Sequence, residues 1–450
     1  MFYTKLLKKI SPIVIPILGF WACDNTPKNP NFQKDAANTE YAYEALTALT
    51  TVIKHDLFPP MIASRIYGYA HVASYEALVA GEAPQYLSLS GQLKGLDALP
   101  KPEAGKEYCY PLASAVAYMK VGKKLTFSED SMTNYAAAIL AKFKAAGVPK
   151  DVFQRSVAFG DTIGGAIIKW SSKDNYLQMR SMPKYTVTPQ NPTRWKPTAP
   201  GYDDALEPHW RKLRPYTLDS AAQFKPIPAT PFDTVKSSKF YKEAYEVYQS
   251  VKDSTPDRIA TAWYWDDNPS ALNNVGHVNF IRKKITPPGH WLHITMYATR
   301  QQKLDIFKTT EAFVQVAIAE FDAFISCWDE KYRSEVIRPE TYISKYIQPE
   351  FTPILVTPPF PEYTSGHSMA SGAAASVLGT LIGKNVAFTD STEVIFGIEP
   401  RSYKSFDEAA AQAAVSRFYA GIHYRPAVDE GLKQGRLIGE YVSRKIKTRR

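Results

Sequence analysis

Apolar residues recur every three or four positions along much of the chain, the spacing that places them on one face of an α-helix. Six stretches show this pattern and predict helices at 41–53, 64–79, 128–146, 150–170, 239–251 and 305–332. No comparable run of period-two alternation, which is typical of β-strands, occurs in the sequence. We therefore predict a mainly α fold.

The helical pattern is lost between residues 174 and 234, where prolines and polar residues dominate. A loop of this length is uncommon inside a compact domain and usually serves as a lid or a binding element. We expect it to belong to an N-terminal helical region, 39–300, followed by a C-terminal region, 301–450, that carries the chemistry.

The N-terminus begins with the sequence MFYTKLLKKISPIVIPILGFWAC. Basic residues precede an apolar run of roughly a dozen residues, too short to span a bilayer and typical of an export signal. The junction before Cys23 resembles a bacterial lipoprotein cleavage site. We expect a signal peptide at 1–22, lipid attachment at Cys23, a flexible tether at 23–38 and a location in the cell envelope. An ordinary signal peptide with an incidental cysteine is the alternative.

The composition indicates a folded protein, because 45% of the 450 residues are hydrophobic and 13% are aromatic. The formal net charge is +10, but most of the excess lies at the two ends of the chain. These residues are Lys5, Lys8, Lys9, Arg444, Lys445, Lys447, Arg449 and Arg450. The remainder is nearly balanced, which argues against a nucleic-acid-binding face.

The stretch PFPEYTSGHSMASGAAAS, residues 359–376, changes character in its middle. Its prolines exclude regular helix from the first half, whereas the alanine-rich second half favours a helix that packs closely against a neighbour. The triplet Ser365, Gly366 and His367 lies where that helix would begin. Free backbone N–H groups and the positive end of the helix dipole make such a junction suited to an anion.

Two further segments carry cationic and imidazole side chains. In WDEKYRSEVIRPETY, Lys331 and Arg338 are about two helical turns apart. In AAVSRFYAGIHYRPAVDEG, Arg417 lies on a predicted helix and His423 follows six residues later. Taken singly, these residues are typical of solvated surfaces or structural histidines. Taken together, three cations, a serine, a glycine N–H and two histidines supply what a tetrahedral oxyanion needs.

The pattern Lys-x6-Arg-Pro, then Ser-Gly-His, then Ser-Arg-x5-His resembles the type 2 phosphatidic acid phosphatase and vanadium haloperoxidase superfamily over residues 300–445. The resemblance implies helical bundles of that type, with long proline-rich loops, and vanadate as the cofactor. It implies that His423 binds vanadium, while His367 manages a proton. It implies that the remaining residues hold the oxygens, namely Lys331, Arg338, Ser365, Gly366 and Arg417.

Two aromatic residues bear on the branch of the superfamily. Trp328 and Phe360 match positions at which chloroperoxidase-type members have aromatic residues beside a halide pocket, although core packing is the alternative. One position departs from the family pattern. The acid expected four residues after the last histidine is replaced by Ala427, and Asp429 lies two residues later. The residue that orients His423 is therefore left open.

We expect a vanadate-dependent haloperoxidase that oxidises halide with hydrogen peroxide, Lys331 polarising the peroxide. One alternative is an acid phosphatase of the same superfamily, which would hydrolyse phosphate esters through a phosphohistidine at His423 with phosphate in the same site. Another alternative is a non-catalytic envelope protein that binds oxyanions. His290 and Trp291, in the segment PPGHWLHIT, could reach the site from the first half of the chain, but we interpret them as structural residues in a loop between helices.

Overall fold

The structure, a computed structural model, describes residues 29–81, 85–269, 271–275 and 278–450. Within these residues the chain forms fifteen α-helices and two short antiparallel hairpins. The helices are α1 (Phe32–Ala36), α2 (Glu40–His55), α3 (Pro60–Val79), α4 (Tyr110–Leu125), α5 (Glu129–Ala145), α6 (Lys150–Ser171), α7 (Tyr176–Arg180), α8 (Lys239–Lys252), α9 (Pro256–Tyr264), α10 (Pro287–Gln301), α11 (Ile306–Ser334), α12 (Pro339–Tyr346), α13 (Gly366–Leu381), α14 (Phe406–Tyr419) and α15 (Arg425–Lys445). The strands are β1 (Ala271–Val275), β2 (Val278–Arg282), β3 (Phe388–Asp390) and β4 (Arg401–Tyr403). The predicted mainly α fold is confirmed.

The six helices predicted from apolar spacing are all present, as α2, α3, α5, α6, α8 and α11. The loop predicted around PPGHWLHIT is wrong, because these residues begin α10. Pro287 and Pro288 occupy the first turn, where a missing N–H costs no hydrogen bond, and Thr286 caps the helix by accepting from the Gly289 N–H. The two prolines therefore initiate this helix rather than break it.

The segment predicted as a flexible tether, 23–38, contains helix α1 in its described part. Phe32 and Ala36 are buried in the main core, and Asn29 donates to the Ala146 carbonyl. The apolar contact of Phe32 outweighs the polar composition around it. The signal peptide and Cys23 lie outside the described residues.

The long loop at 174–234 is mostly irregular, as predicted, apart from α7 and a 3₁₀ turn at Trp210–Lys212. It is nevertheless tied to α11. The buried carboxylate of Asp322 accepts from the backbone N–H groups of Tyr216 at 2.7 Å and Thr217 at 2.8 Å. Backbone groups that would otherwise be buried without partners are thereby satisfied. The loop is held against the helix that carries Trp328 and Lys331.

Helix α13 packs closely against α15 through a row of glycines. Gly431, Gly435 and Gly439 recur every four residues along α15 and face the backbone of α13 and its first residues. A Cβ at Gly431 would lie 2.8 Å from the Ser365 carbonyl oxygen. The Ser365 N–H also donates to the Ala427 carbonyl at 3.0 Å. The predicted close packing of this alanine-rich helix is present, and it fixes the position of residues 365–367.

One apolar core runs through both predicted regions, from Phe32 to Ile446. Helix α11 joins the regions, since it packs against α3 on one side and α13 on the other. The boundary predicted at residues 300 and 301 therefore does not separate two cores. Among the described helices, none is both long enough and apolar enough to span a bilayer.

Candidate active site

Three segments distant in sequence meet at one cavity. It is lined by Gly366 and His367 from the start of α13, Arg417 from the end of α14, and His423 from the turn before α15. Lys331 lies in the last turn of α11. Further lining residues are Pro59, Pro60, Leu206, Asp267, Asn268, Pro269, Pro287, Phe324, Trp328, Pro358, Pro359 and Phe360.

Local geometry places each residue at the end of a helix. Arg338 is the N-cap of α12 and has extended backbone, as the following Pro339 requires. Ser365 is the N-cap of α13, and its Oγ accepts from the Ser368 N–H at 3.3 Å. Gly421 has a φ of 80° and ends the segment after α14, so that His423 turns back toward the cavity.

Lys331 is fully buried and donates to three backbone carbonyls. Its Nζ lies 2.9 Å from the Pro361 oxygen, 3.0 Å from the Glu362 oxygen and 2.6 Å from the Thr364 oxygen. These contacts use all three donors of the ammonium group. A bound oxyanion would therefore have to replace one of these carbonyls. Burial lowers the pKa of Lys331 to about 7.

Arg338 lies next to His423 and is fixed by hydrogen bonds to backbone carbonyls. Its Nε donates to the Phe360 carbonyl at 2.9 Å and its Nη1 to the Ile422 carbonyl at 2.9 Å. The same Nη1 lies 3.1 Å from His423 Nε2. Because a guanidinium group only donates, Nε2 must be the unprotonated nitrogen and must offer its lone pair.

His423 is oriented by Glu362, a residue that the sequence analysis did not single out. His423 Nδ1 lies 2.8 Å from Glu362 Oε1, which also accepts from the Tyr424 N–H at 3.0 Å. The hydrogen bond to the carboxylate fixes the proton on Nδ1, in agreement with an Nε2 lone pair that accepts from Arg338. Asp429, considered earlier for this role, is exposed. Glu362 follows three prolines in the stretch that ends in Ser-Gly-His. An acidic residue in this apolar, proline-rich segment was the sequence signal that could have identified it.

Arg417 and His367 have buried nitrogen atoms without partners. Arg417 Nη1 donates to the Trp265 carbonyl at 2.8 Å, but its Nε has no hydrogen-bond partner within the described part of the chain. The same holds for His367 Nε2, which is 3.7 Å from Asp267 Oδ2. Orphaned buried polar atoms of this kind are expensive unless a ligand satisfies them.

The cavity carries uncompensated positive charge. Burial lowers the pKa of Arg338 to about 10 and also lowers that of Arg417. Burial, Arg338 and Lys331 together hold the pKa of His423 well below its usual range. Burial raises the pKa of Glu362 to about 7, against the opposite effect of Arg338 and Lys331. Three buried cationic side chains lie near two buried carboxylates, Glu362 and Asp267, and the excess of positive charge favours an oxyanion.

Gly366 leaves room for such an anion to approach the backbone. A Cβ at this position would meet no protein atom closer than 3.8 Å, and its nearest neighbours belong to Phe324 and Trp328. Packing within the protein does not therefore require glycine here. The cavity therefore suits vanadate, since it offers nitrogen donors without partners, the His423 lone pair and space beside Gly366.

Trp328 and Phe360 form an aromatic wall beside the cations. Their ring centroids are 5.0 Å apart, and Lys331 Nζ lies 5.0 Å from the Phe360 centroid. The Leu206 carbonyl, from the loop at 174–234, accepts from Trp328 Nε1 at 3.1 Å and from the Tyr332 hydroxyl at 2.6 Å. The loop thus contributes a cavity residue that the sequence analysis did not name individually.

Comparison with known proteins identifies the family. A family model described as the VCPO second helical-bundle domain matches residues 311–450. The crystal structure of a bacterial vanadium-dependent iodoperoxidase is 45% identical to this chain, covers 92% of it and 97% of its own chain, and superposes with a TM-score of 0.86. The chain belongs to the vanadium-dependent haloperoxidase family. No curated protein sequence matches it.

Two structures of a bacterial vanadium-dependent chloroperoxidase are more distant from this haloperoxidase. The holo form is 16% identical, covers 93% of this chain and 97% of its own, and has a TM-score of 0.67. The apo form is 15% identical, covers 86% and 95%, and has a TM-score of 0.66. At this identity the likeness establishes a shared fold.

The predicted superfamily, the helical fold and the haloperoxidase function are confirmed by these comparisons. The phosphatase and the non-catalytic oxyanion-binding protein, kept open earlier, are not favoured. The roles of individual site residues remain predictions.

Proposed function

We propose that this haloperoxidase holds vanadate between His423 and the cationic cluster and uses hydrogen peroxide to oxidise iodide. The observation that carries the proposal is the state of His423. Its Nδ1 proton is committed to Glu362, and its Nε2 lone pair is buried beside Arg338 at the cavity. A lone pair oriented in this way is preorganised to bind a metal.

The cations and the start of α13 would hold the oxygens of the cofactor. Arg417 Nε lacks a protein partner and would donate to one oxygen, while Arg338 and Lys331 would neutralise charge. The N-terminus of α13 adds the Gly366 N–H and the Ser365 hydroxyl. Bound vanadate supplies Lewis-acid activation of peroxide toward the halide.

His367 is the proposed proton handler. Its Nε2 faces the cavity without a hydrogen-bond partner in the described structure, and Asp267 lies 3.7 Å away. Burial and Arg417 hold the pKa of His367 well below its usual range, whereas a hydrogen bond to the Trp265 carbonyl acts in the opposite direction. A neutral imidazole can accept a proton from incoming peroxide. Lys331 would stabilise charge that develops on the peroxide oxygen.

Iodide is the halide that this cavity suits best. Trp328, Phe360, Phe324 and Leu206 give it an apolar wall close to positive charge. Removing a weakly hydrated anion from water into such a site costs less than removing a strongly hydrated one. The similarity to an iodoperoxidase at 45% identity supports the same choice.

A halide comparison tests the proposal. Purified protein loaded with orthovanadate should oxidise iodide with peroxide, at a higher kcat/KM than bromide and with little or no chloride oxidation. His423→Ala should abolish this activity. Hydrolysis of a phosphomonoester by vanadate-free protein, without any halide oxidation by the loaded protein, would instead favour the phosphatase.

We also propose that inorganic phosphate competes with vanadate for the same cluster, since both are tetrahedral oxyanions of similar charge. Phosphate titrated into vanadate-loaded protein should inhibit halide oxidation competitively with respect to vanadate. Inhibition that excess vanadate does not relieve would contradict a shared site.

Export and lipid anchoring through Cys23 remain part of the proposal. They rest on the basic and apolar N-terminus and the lipoprotein-like junction. In a bacterial host, Cys23→Ser should move the protein from the membrane to a soluble envelope fraction, because acyl chains at that residue would provide the attachment. Unchanged membrane association would contradict the anchor.

A further inference from the structure

His290 is buried on α10 between two carboxylates. Its Nδ1 lies 2.9 Å from Asp267 Oδ1 and its Nε2 lies 2.8 Å from Asp390 Oδ2. Each ring nitrogen therefore donates to a carboxylate, so the ring is an imidazolium. Burial lowers the pKa of His290, but Asp267 and Asp390 outweigh it and raise the value well above the usual range. This goes beyond the packing role expected from the sequence.

Trp291, the neighbour of His290, fits the structural interpretation. Its Nε1 donates to the Ser371 hydroxyl on α13 at 2.8 Å, and its ring is fully buried. The two adjacent residues thus have different surroundings. The His290 side chain contacts Asp267, which lines the active-site cavity.

Asp267 connects His290 to the cavity. Its Oδ1 is bound by His290, while its Oδ2 faces His367 Nε2 at 3.7 Å. That distance is too long for a hydrogen bond, so a small rotation of the carboxylate decides whether the contact forms. Fixing one oxygen of a carboxylate fixes the direction of the other.

Asp390 anchors the opposite side of His290. It accepts from the Thr392 N–H at 2.9 Å, the Thr392 hydroxyl at 2.6 Å and the Tyr264 hydroxyl at 2.7 Å. The Trp265 ring also stacks on His290, with centroids 4.6 Å apart and planes at 23°. His290 is thereby held on both sides and on one face, and has little freedom to move.

The cluster around His290 contains three groups that could in principle bind a metal ion. Asp267, His290 and Glu393 offer ligand atoms within 4.8 Å of one another. However, both nitrogens of His290 are committed to carboxylates, and Glu393 forms a buried ion pair with Lys284. His290 therefore acts as a clamp between Asp267 and Asp390, and this describes the cluster better than a second metal site does.

We propose that His290 is a positioning residue, which clamps Asp267 so that the free carboxylate oxygen is directed at His367. The inference rests on the proposed proton-handling role of His367 and extends it. Supporting residues that orient a reacting group typically change activity by about 10–100-fold when removed. His290 touches none of the residues proposed to bind vanadate, so its loss should slow turnover without weakening cofactor binding.

The test compares turnover with vanadate affinity. In His290→Gln we expect kcat for iodide oxidation to fall about 10–100-fold. We expect vanadate affinity, measured by calorimetry, to stay within about threefold of wild type, since the cationic cluster is untouched. His293→Gln is the matched control, because His293 is also buried on α10 and binds only the Gly289 carbonyl, at 2.8 Å. It should retain wild-type kcat.

A double-mutant cycle separates positioning from general stability. If His290 acts through Asp267, then adding His290→Gln to Asp267→Asn should reduce kcat little further. Additive losses in the cycle, or equal losses of kcat and vanadate affinity, would overturn the inference. If His290→Gln does not fold, Asp390→Asn weakens the same clamp, and its smaller loss of kcat should also disappear in the Asp267→Asn background.

Wild-type activity distinguishes this inference from the proposed function. Absence of halide oxidation by vanadate-loaded wild-type protein would overturn both. An active wild type together with an undiminished kcat in His290→Gln would overturn the positioning role alone.

Discussion

Replacing Glu362 with glutamine should weaken vanadate binding. Glu362 is fully buried and accepts from His423 Nδ1 at 2.8 Å and from the Tyr424 N–H at 3.0 Å. A glutamine can keep a carbonyl oxygen for both donors, but a neutral amide accepts from Nδ1 less strongly than a carboxylate does. The Nε2 lone pair, which faces Arg338 Nη1 at 3.1 Å, would then be a weaker ligand.

Two effects of this substitution oppose each other. Loss of a hydrogen bond to a charged group is worth about 1.5–3 kcal/mol. This agrees with the roughly 10–100-fold loss in metal affinity seen when the partner of a metal-ligating histidine is removed. Removing the carboxylate also leaves Lys331 and Arg338 less neutralised, which favours an anion. We expect the first effect to dominate, because His423 Nε2 is the proposed bond between the protein and vanadium.

Calorimetric titration of orthovanadate into vanadate-free protein measures the outcome. Glu362→Gln should raise the Kd by about 10–100-fold, or about 1.4–2.8 kcal/mol. Glu340→Gln is the matched control, since Glu340 is a partly buried acid near Arg338 that binds Thr357 rather than His423. An affinity for Glu362→Gln within about twofold of wild type, or a tighter one, would refute the orienting role.

Three further predictions concern charge and packing. Burial lowers the pKa of Lys331 to about 7, so binding of an oxyanion near pH 8 should be accompanied by uptake of a proton at Lys331. Vanadate affinity should therefore fall as the pH rises above about 7. Calorimetry in buffers of different ionisation enthalpy should detect this proton uptake, and the uptake should be smaller in Lys331→Met. Gly366→Ala should preserve thermal stability, because the added Cβ would meet no protein atom closer than 3.8 Å. It should weaken vanadate binding, because the methyl group would take the space through which the anion approaches the backbone. An unchanged vanadate affinity would show that the anion does not approach there. Gly435→Ala should destabilise the fold by about 1–3 kcal/mol in denaturant unfolding, since its Cβ would overlap the Met369 carbonyl. Gly379→Ala is the control, because there is open space around Gly379, and this change should leave the free energy of unfolding unchanged or raise it. Equal changes in the free energy of unfolding for Gly435→Ala and Gly379→Ala would contradict close packing of α13 against α15.

Helices with a clear apolar face were predictable from the sequence, and so were residues that occur in a fixed motif. Lys331, Arg338, Arg417 and His423, taken together, indicated a common anion, because an oxyanion needs several donors and positive charges. The glycines of α15 were not interpreted, since their use depends on which helix crosses them. The start of α10 was not predicted, since proline is found both where helices end and where they begin.

The supporting residues were harder to predict. Glu362 lies 61 residues before His423 in the chain, and Asp267 lies 23 residues before His290. These pairs form because tertiary packing buries a charge next to a partner, and no local period encodes that. An acidic residue inside a proline-rich apolar stretch, as at Glu362, is the signal that the sequence does contain.

The central claim, that His423 Nε2 is the bond between the protein and the cofactor, is tested most directly by a crystal structure of the protein soaked in orthovanadate. We predict one vanadium per chain, bonded to His423 Nε2, with its oxygens near Arg338, Arg417 and the Gly366 N–H, and no bound vanadium in crystals of His423→Ala. Vanadium bonded elsewhere, or bound unchanged in His423→Ala, would contradict the account.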